Sequence, residues 1–319
     1  MKSATTQFPQ TLQGAMVFFA DPANGLEFMC SLRWPNGKVT CPHCQADRVS
    51  FISTRSKWKC MACHKQFSAK VGTIFEDSAL GYDKWFPAMW MIVNAKNGIS
   101  SYELHRAIGV TQKTAWFMLH RIRLAMQAGS IEKMTGEVEA DETFIGAKAR
   151  NMHAGKRKVK GTGVIGKTAV MGLLERDERK GHSRVAMKVI PNRKTAMIHS
   201  TVCEVVEPGS TVYTDALASY RYLNEEYVHG VIDHAVKYVD GKIHTNGLEN
   251  FWSLLKRAIR GTYVNVEAFH LFRYLDEQAF RFNERKDCDA GRFLRAAIGA
   301  IGKRLDYQQL IGNEGAQPA

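Results

Sequence analysis

Three acids carry the pattern in this chain that could do chemistry: Asp141 in GEVEADETFIG, Asp215 in TVYTDALASY and Glu249 in HTNGLENFWSLLKR. The first falls on a strand pattern, the second at the end of an apolar strand, the third on a helix. Carboxylates aimed at one point repel one another and make poor structure. They make good ligands for hard divalent cations, which take oxygen donors. A pair of such ions, Mg²⁺ or Mn²⁺, serves phosphodiester chemistry: one ion activates the attacking oxygen and the other stabilises the leaving oxygen.

The elements around these acids decide how far the pattern can be taken. Glu139 and Asp141 are separated by the strand period of two and share a face, with Val138 and Ala140 on the other. Glu142 faces away, so Asp141 is the preferred ligand. Asp215 ends the run STVYTD, where an α/β sheet presents its ligands; taken alone, it reads better as the cap of a helix over ALASYRYL. The segment from Asn246 to about Arg260 carries Leu248, Phe251 or Trp252, Leu255 and Ile259 as an apolar stripe. Glu249 and Lys256 lie seven apart, nearly two turns, and so line up, with Asn246 one turn earlier. An ordinary solvated Glu–Lys face has the same spacing. A Glu beside a stripe that docks on the sheet can reach the sheet's edge, and Lys256 can meet a phosphate there.

Between Phe144 and Leu174 there is no acid, while Lys148, Arg150, Lys156, Arg157, Lys158, Lys160 and Lys167 all occur among several glycines. Beside a candidate metal site this reads as a basic, DNA-holding loop. The chain has 319 residues and a net charge of +13, which suits a polyanionic partner. Its length allows two or three domains. No signal peptide and no membrane span are expected, and a bacterial cytoplasmic location follows.

Cys41-x2-Cys44 and Cys60-x2-Cys63, with fifteen residues between the pairs, match the four-thiolate form of a structural zinc site. Cys30, Cys203 and Cys288 read as small buried hydrophobes. The stretch DKWFPAMWMIVNAKNG predicts a helix capped by Asp83, with Pro87 in its first turn and Trp85, Met89, Ile92 and Lys96 along one face. Downstream, Tyr102, Leu104 and Ile108 start a short helix that Gly109 breaks. Thr111 caps a second helix from Gln112 to about Met126, which carries Gln112, Lys113, Thr114, His120, Arg121 and Arg123. That is a helix-turn-helix pattern, although two ordinary helices with a glycine between them read the same way.

From residue 136 the period changes to strands: EVEADETFIG, then 168–176, 184–191 and STVYTD, with helices at 195–206, over ALASYRYLNEE and at 246–260. EAFHLFRYLDEQAFRFNERK predicts an amphipathic helix with Phe269, Phe272, Leu275 and Phe280 inward. The mixture argues for an α/β domain with a mixed sheet. The expected organisation is an N-terminal segment and zinc ribbon over 1–70, a helical DNA-binding region over 71–134, a catalytic domain over 135–308 and a disordered tail over 309–319.

The series CPHC…CMAC, ADETFIG, YTDALASY, HTNGLENFWSLLKRAIRGTY and YLDEQAFRFNER resembles the IS1595-type insertion-sequence transposases, whose catalytic half is the ISXO2-like domain. The resemblance covers roughly residues 15 to 300. It implies an RNase H-like core with a DDE-type triad and a basic residue seven places after the third acid. The matching positions are Asp141, Asp215, Glu249 and Lys256; some relatives carry Asn as the third member, which keeps Asn246 open, and the spacing to Lys256 favours Glu249. The implied activity is nicking at terminal inverted repeats and joining of the freed 3′-OH to target DNA. Implied cofactors are a structural Zn²⁺ and two Mg²⁺ or Mn²⁺ ions. Double-stranded DNA is the expected partner, contacted by Gln112, Lys113, Thr114, Arg121, Lys156, Arg157, Lys158, Lys160, Lys256, Arg257 and Arg260. Pairing two ends calls for a homodimer or higher oligomer, nucleoid-associated when bound. The rival readings are an RNase H-like nuclease without strand transfer and a non-catalytic zinc-ribbon regulator.

Overall fold

The change of sequence period near residue 136 is a change of architecture. The computed structural model describes residues 8–127, 132–146, 166–177, 179, 181–232 and 244–312. In chain order these form α1 (Leu12–Ala20), α2 (Pro22–Arg33), β1 (Val49–Ile52), β2 (Lys57–Cys60), β3 (Gln66–Phe67), α3 (Tyr82–Asn94), α4 (Ser101–Ile108) and α5 (Gln112–Met126). There follow β4 (Glu137–Ile145), β5 (Thr168–Glu175), β6 (Arg184–Ile190), α6 (Thr195–Val205), β7 (Thr211–Asp215), β8 (Val228–Ile232), α7 (Asn246–Ala258), α8 (Leu271–Asn283), α9 (Asp289–Ile298) and α10 (Tyr307–Ile311). The chain divides into two units, Met1–Gln127 with Asp287–Ala319, and Ala128–Lys286. The segment from Asp287 to residue 308, expected to close the catalytic domain, therefore belongs with the N-terminal unit.

In the first unit β1, β2 and β3 form a small antiparallel sheet. The helices enclose an aromatic core in which Phe293 of α9 is fully buried between Phe19, Phe28, Phe86 and Trp90, with ring centroids 5.1–5.9 Å away. Helix α3 is buried on most of its circumference, not on one stripe. Its N-cap is Gly81, with Asp83 inside the first turn and Pro87 further in. Residues 72–80 form turns, where a helix was expected. Helix α4 opens with a reciprocal capping box between Ser100 and Glu103 and ends at Gly109, whose φ of 69° is the left-handed conformation glycine adopts without a Cβ penalty. Thr111 then caps α5, accepting from Thr114 N at 3.1 Å.

The second unit is built on one five-stranded sheet of order β6-β5-β4-β7-β8. Its β6-β5-β4 half is antiparallel, and β4-β7-β8 is parallel. One face packs Val138, Ala140, Met171 and Leu173 against Ile198 and Val202 of α6. The other packs Ile145, Val170 and Leu174 against Leu248, Phe251, Trp252 and Leu255 of α7 and Leu275 of α8. The mixed α/β character is as expected, and both Phe251 and Trp252 are buried.

Two expected helices differ. ALASYRYLNEE forms only two short 3₁₀ turns, Ala218–Tyr220 and Leu223–Glu225; their core contacts are Tyr220 and Leu223, too few apolar positions for a longer packed face. In α8 the inward face carries Leu271, Leu275 and a buried Glu277–Arg281 pair, while Phe269 and Phe272 are 53% and 39% exposed. The periodicity was right for Leu275 and off by one residue for Phe272. α7 continues through a π-helical turn, Ile259–Tyr263.

Phe293→Ala is expected to lower unfolding free energy by about 3–5 kcal/mol in denaturant titration, because its aromatic neighbours cannot collapse onto the void. Stability close to wild type would show that the C-terminal segment is not integral to the first unit.

Candidate active site

The centre of the second unit is the junction where its antiparallel and parallel halves meet. β4 pairs in parallel with β7 at Glu137–Thr211, Val138–Val212 and Glu139–Tyr213. Both strands run on past these pairs, β4 through Asp141 to Ile145 and β7 to its end at Asp215, so the two acids lie on neighbouring strands, each two residues beyond the last pair. Burial raises the pKa of Asp141, and the negative charges of Asp215 and Glu249 raise it further. Asp215 and Glu249 are therefore both within electrostatic reach of Asp141. The three acids are not in mutual contact: among the described residues, their oxygens do not form a set within 4.8 Å of one another.

Asp141 is held by its neighbours. Trp252 Nε1 donates to its Oδ2 at 2.8 Å, and Glu142 N donates to Oδ1 at 2.8 Å. The indole reaches the carboxylate because Gly172 stands opposite Asp141 on β5. A Cβ at Gly172 would come within 2.5 Å of the Trp252 ring. Glu139, one step back on the same face, secures the start of α7. It is buried, and its Oε2 accepts from Leu248 N at 2.8 Å, meeting one of the first-turn donors that a helix leaves unpaired. Arg176 Nε donates to the other oxygen at 2.9 Å, and Arg176 Nη2 to His244 O at 2.7 Å. A Cβ at Gly247 would lie 2.8 Å from Glu139 Oε2, so the approach needs glycine. Through these contacts α7 is aligned with Glu249 on an exposed flank of its first turn. Asn246, the alternative third member, is exposed at the helix start.

Asp215 Oδ1 accepts from Leu217 N at 3.1 Å, a local turn contact; it caps no helix, because the 3₁₀ turn that follows has Leu217 at its N-cap and no side-chain cap. Glu142 does face away from Asp141, accepting from Tyr220 Oη at 2.5 Å. Burial, then the charges of Asp215 and Asp141, push its pKa from 4.5 to about 7.

Next to the acids lies a cleft of about 360 Å³ lined by Phe144, Ile145, Lys167, Lys256, Ile259, Arg260 and Asn265, among others. Burial lowers the Lys256 pKa; Arg260 and Lys167 lower it too, while Asp141 opposes them. Three cations thus converge on the cleft, Lys256 among them within reach of the Asp141 charge, with Arg257 exposed one residue beyond Lys256. Lys156, Arg157, Lys158 and Lys160 lie outside the described residues.

In the first unit the four predicted cysteines come together. Cys41 and Cys63 Sγ are 3.7 Å apart, and Cys44 and Cys60 Sγ 3.6 Å. Tetrahedral zinc with bonds of about 2.3 Å separates its sulfurs by about 3.75 Å, so the set fits the ion. Backbone N–H groups of Cys63 and Ala62 approach Cys60 Sγ at 3.5 and 3.4 Å and help lower its pKa to about 7, favouring the thiolate that metal binding requires. The two knuckles are built alike: Gln45 and His64, each following the second cysteine of its pair, take the left-handed conformation.

The predicted DNA-contact residues of α5 divide. Gln112, Lys113 and Thr114 lie in its first turn, where Gln112 Nε2 donates to Ser101 Oγ and Lys113 lies over the Tyr307 ring. Arg121 is corrected: it is 5% exposed, and its guanidinium donates to the carbonyls of Leu305, Ile74 and Glu76 at 2.7–3.0 Å. A cation occupied in this way holds loops together and is not presented to a phosphate. The odd cysteines are corrected too. Cys288 is exposed and caps α9, and Cys203 is half-buried beside His199 and Glu226.

Residues 133–283 match the ISXO2-like transposase domain, and residues 23–66 match the transposase zinc-ribbon domain. The class is that of transposases, with the acids and the cationic cleft inside the first match and the four cysteines inside the second. A "Transposable element ISH50" protein of Halobacterium salinarum, described as uncharacterized, is 28% identical over 253 residues, 75% of this chain and 83% of that protein. An "Uncharacterized transposase-like protein" of Haemophilus influenzae is 34% identical over 101 residues, 31% of this chain and 81% of that protein. The chain belongs to the IS1595-type insertion-sequence transposases. No helix among the described residues is long and apolar enough to cross a membrane.

Two outcomes follow from the site's construction. Gly172→Ala is expected to cost about 1–3 kcal/mol in denaturant unfolding, as overpacking does, and to weaken Mn²⁺ binding in calorimetry; unchanged stability and affinity would mean that the glycine gap is dispensable. Because folded Glu142 keeps its proton to higher pH than the unfolded chain does, its contribution to stability declines as pH rises from about 4.5 to about 7. Without added divalent ion, Glu142→Gln is therefore expected to have a flatter thermal-midpoint profile across that window and a higher midpoint than wild type at pH 8. Superimposable profiles would contradict this.

Proposed function

We propose that this protein is a DNA transposase of the DDE type with an RNase H-like catalytic core, which nicks DNA at the ends of its own element and joins the freed 3′-OH to target DNA. The observation that carries the reading is the placement of Asp141 and Asp215 on neighbouring parallel strands, each two residues past their last pair, with the charges of Asp215 and Glu249 both reaching Asp141, inside the segment that matches a transposase domain. An all-oxygen donor set suits Mg²⁺ or Mn²⁺. Acids spread over more than one coordination sphere suit two ions about 3.5–4 Å apart better than one. Asp141, Asp215 and Glu249 would hold these ions, which when bound activate the attacking oxygen and stabilise the leaving one.

The protein's own groups do the positioning. Trp252 and Glu142 N fix the Asp141 carboxylate, and Glu139 with Arg176 fixes the helix that carries Glu249. Lys256, Lys167 and Arg260 neutralise the phosphates of a strand lying along the cleft, with Arg257 alongside. Terminal inverted repeats would be recognised by the zinc ribbon and by α4–α5 acting as a helix-turn-helix through Gln112, Lys113 and Thr114. The basic residues Lys156, Arg157, Lys158 and Lys160 add to the hold on DNA. Synapsis of two ends calls for at least a dimer, acting in the bacterial cytoplasm at the nucleoid.

Incubation with labelled oligonucleotides bearing the element ends, plasmid target and Mg²⁺ tests the reading. Wild type is expected to nick and join, and Asp141→Asn to lose both activities by roughly a thousandfold while keeping DNA binding. Cleavage without joined product would favour a nuclease. Activity that is indifferent to Asp141→Asn would remove the catalytic assignment.

A further inference from the structure

Away from the acids, on the α6 side of the sheet, a second set of metal-type donors is gathered. His199 and Cys203 are four residues apart on α6, one turn, so their side chains meet on one flank. His199 Nδ1 and Cys203 Sγ are 3.5 Å apart. Glu226, from the turn before β8, places Oε2 3.5 Å from the same sulfur, and its Oε1 lies 3.9 Å from His199 Nε2. One ligand atom from each of the three residues falls within 4.8 Å of the other two.

We propose that His199, Cys203 and Glu226 form a second transition-metal site, separate from the four-cysteine ribbon and from the Asp141 acids, that takes Zn²⁺ or a similar borderline ion. The separations carry the argument. An ion with tetrahedral bonds of about 2.3 Å to sulfur and about 2.0–2.1 Å to nitrogen and oxygen spaces sulfur from nitrogen, and sulfur from oxygen, by about 3.5–3.6 Å. The sulfur–nitrogen and sulfur–oxygen distances here have that value before any ion is added. Sulfur and imidazole donors select zinc, cobalt or copper over magnesium, so the site would not compete with the acids for Mg²⁺. His199 and Glu226 are partly exposed and Cys203 is half-buried, which leaves a path for the ion and a fourth position open to water.

The site has a consequence for the fold. α6 packs on the sheet through Ile198 and Val202, while Glu226 precedes β8, the edge strand paired with β7 up to Asp215. An ion here ties helix α6 to the turn leading into that edge strand, and would stabilise the strand end carrying Asp215. The competing arrangement is a thiol and imidazole hydrogen-bonded to Glu226 with no ion.

The test is the zinc content of the full-length protein, measured by elemental analysis during Zn²⁺ titration in excess Mg²⁺, which keeps the acid site occupied. Two zinc ions per chain are expected for wild type, and one for the His199→Ala/Cys203→Ser double variant. Glu226→Gln, altered at a half-exposed position that should not disturb folding, is expected to weaken the second ion at least tenfold. One zinc per chain in the wild type, or two retained in the double variant, would overturn the proposal. A thermal melt of Glu226→Gln without zinc, matching wild type without zinc, separates loss of the ion from loss of fold.

Discussion

The arrangement depends on a hydrogen bond that only a missing side chain permits. Trp252 can donate to Asp141 because Gly172, directly across the strand pair, has nothing above its Cα. The indole is at once a core residue of the α7 face and the group that orients a buried carboxylate. Burial and neighbouring negative charge work against ionised Asp141, and the donated hydrogen bonds work for it. Removing the donor would leave a repelled acid free to turn away from its partners. Packing and electrostatics at this junction are therefore one constraint.

A second acid supports the same construction without joining the chemistry. Glu139 sits on the Asp141 face of β4, yet it is spent on the first turn of α7 and on Arg176. The helix has no side-chain cap of its own, so a strand residue supplies one. This couples the placement of Glu249 and Lys256 to β4 itself. The strand that carries the first acid also sets the position of the helix that carries the third. On the proposed function, this coupling is what brings ligands distant in sequence to one place.

Much of this could be read in the sequence, for identifiable reasons. The two CxxC pairs are a local pattern whose ligand geometry is set by short turns, and the four sulfurs gather as the spacing requires. The acids were legible because strand period, strand end and helix stripe each left a signature. What escaped was non-local. Gly172 carries no mark of its own within the apolar run 168–176, and only the β4–β5 register and the Trp252 ring above it reveal its use. Glu139 was seen to share a face with Asp141, but its partner Leu248 N lies 109 residues away. Arg121 was read as a DNA contact because it is a cation on the second helix of the helix-turn-helix pattern; carbonyls of loops far along the chain claim it instead. The His199–Cys203–Glu226 group was missed because its third member comes from a segment expected to be helical.

The most direct measurement is anomalous diffraction at the manganese edge from crystals of the full-length protein grown with Mn²⁺. The account predicts manganese peaks at the β4–β7 junction, within about 2.1–2.4 Å of carboxylate oxygens of Asp141 and Asp215, with Glu249 completing the set. Manganese bound elsewhere while those carboxylates stay unliganded would contradict it.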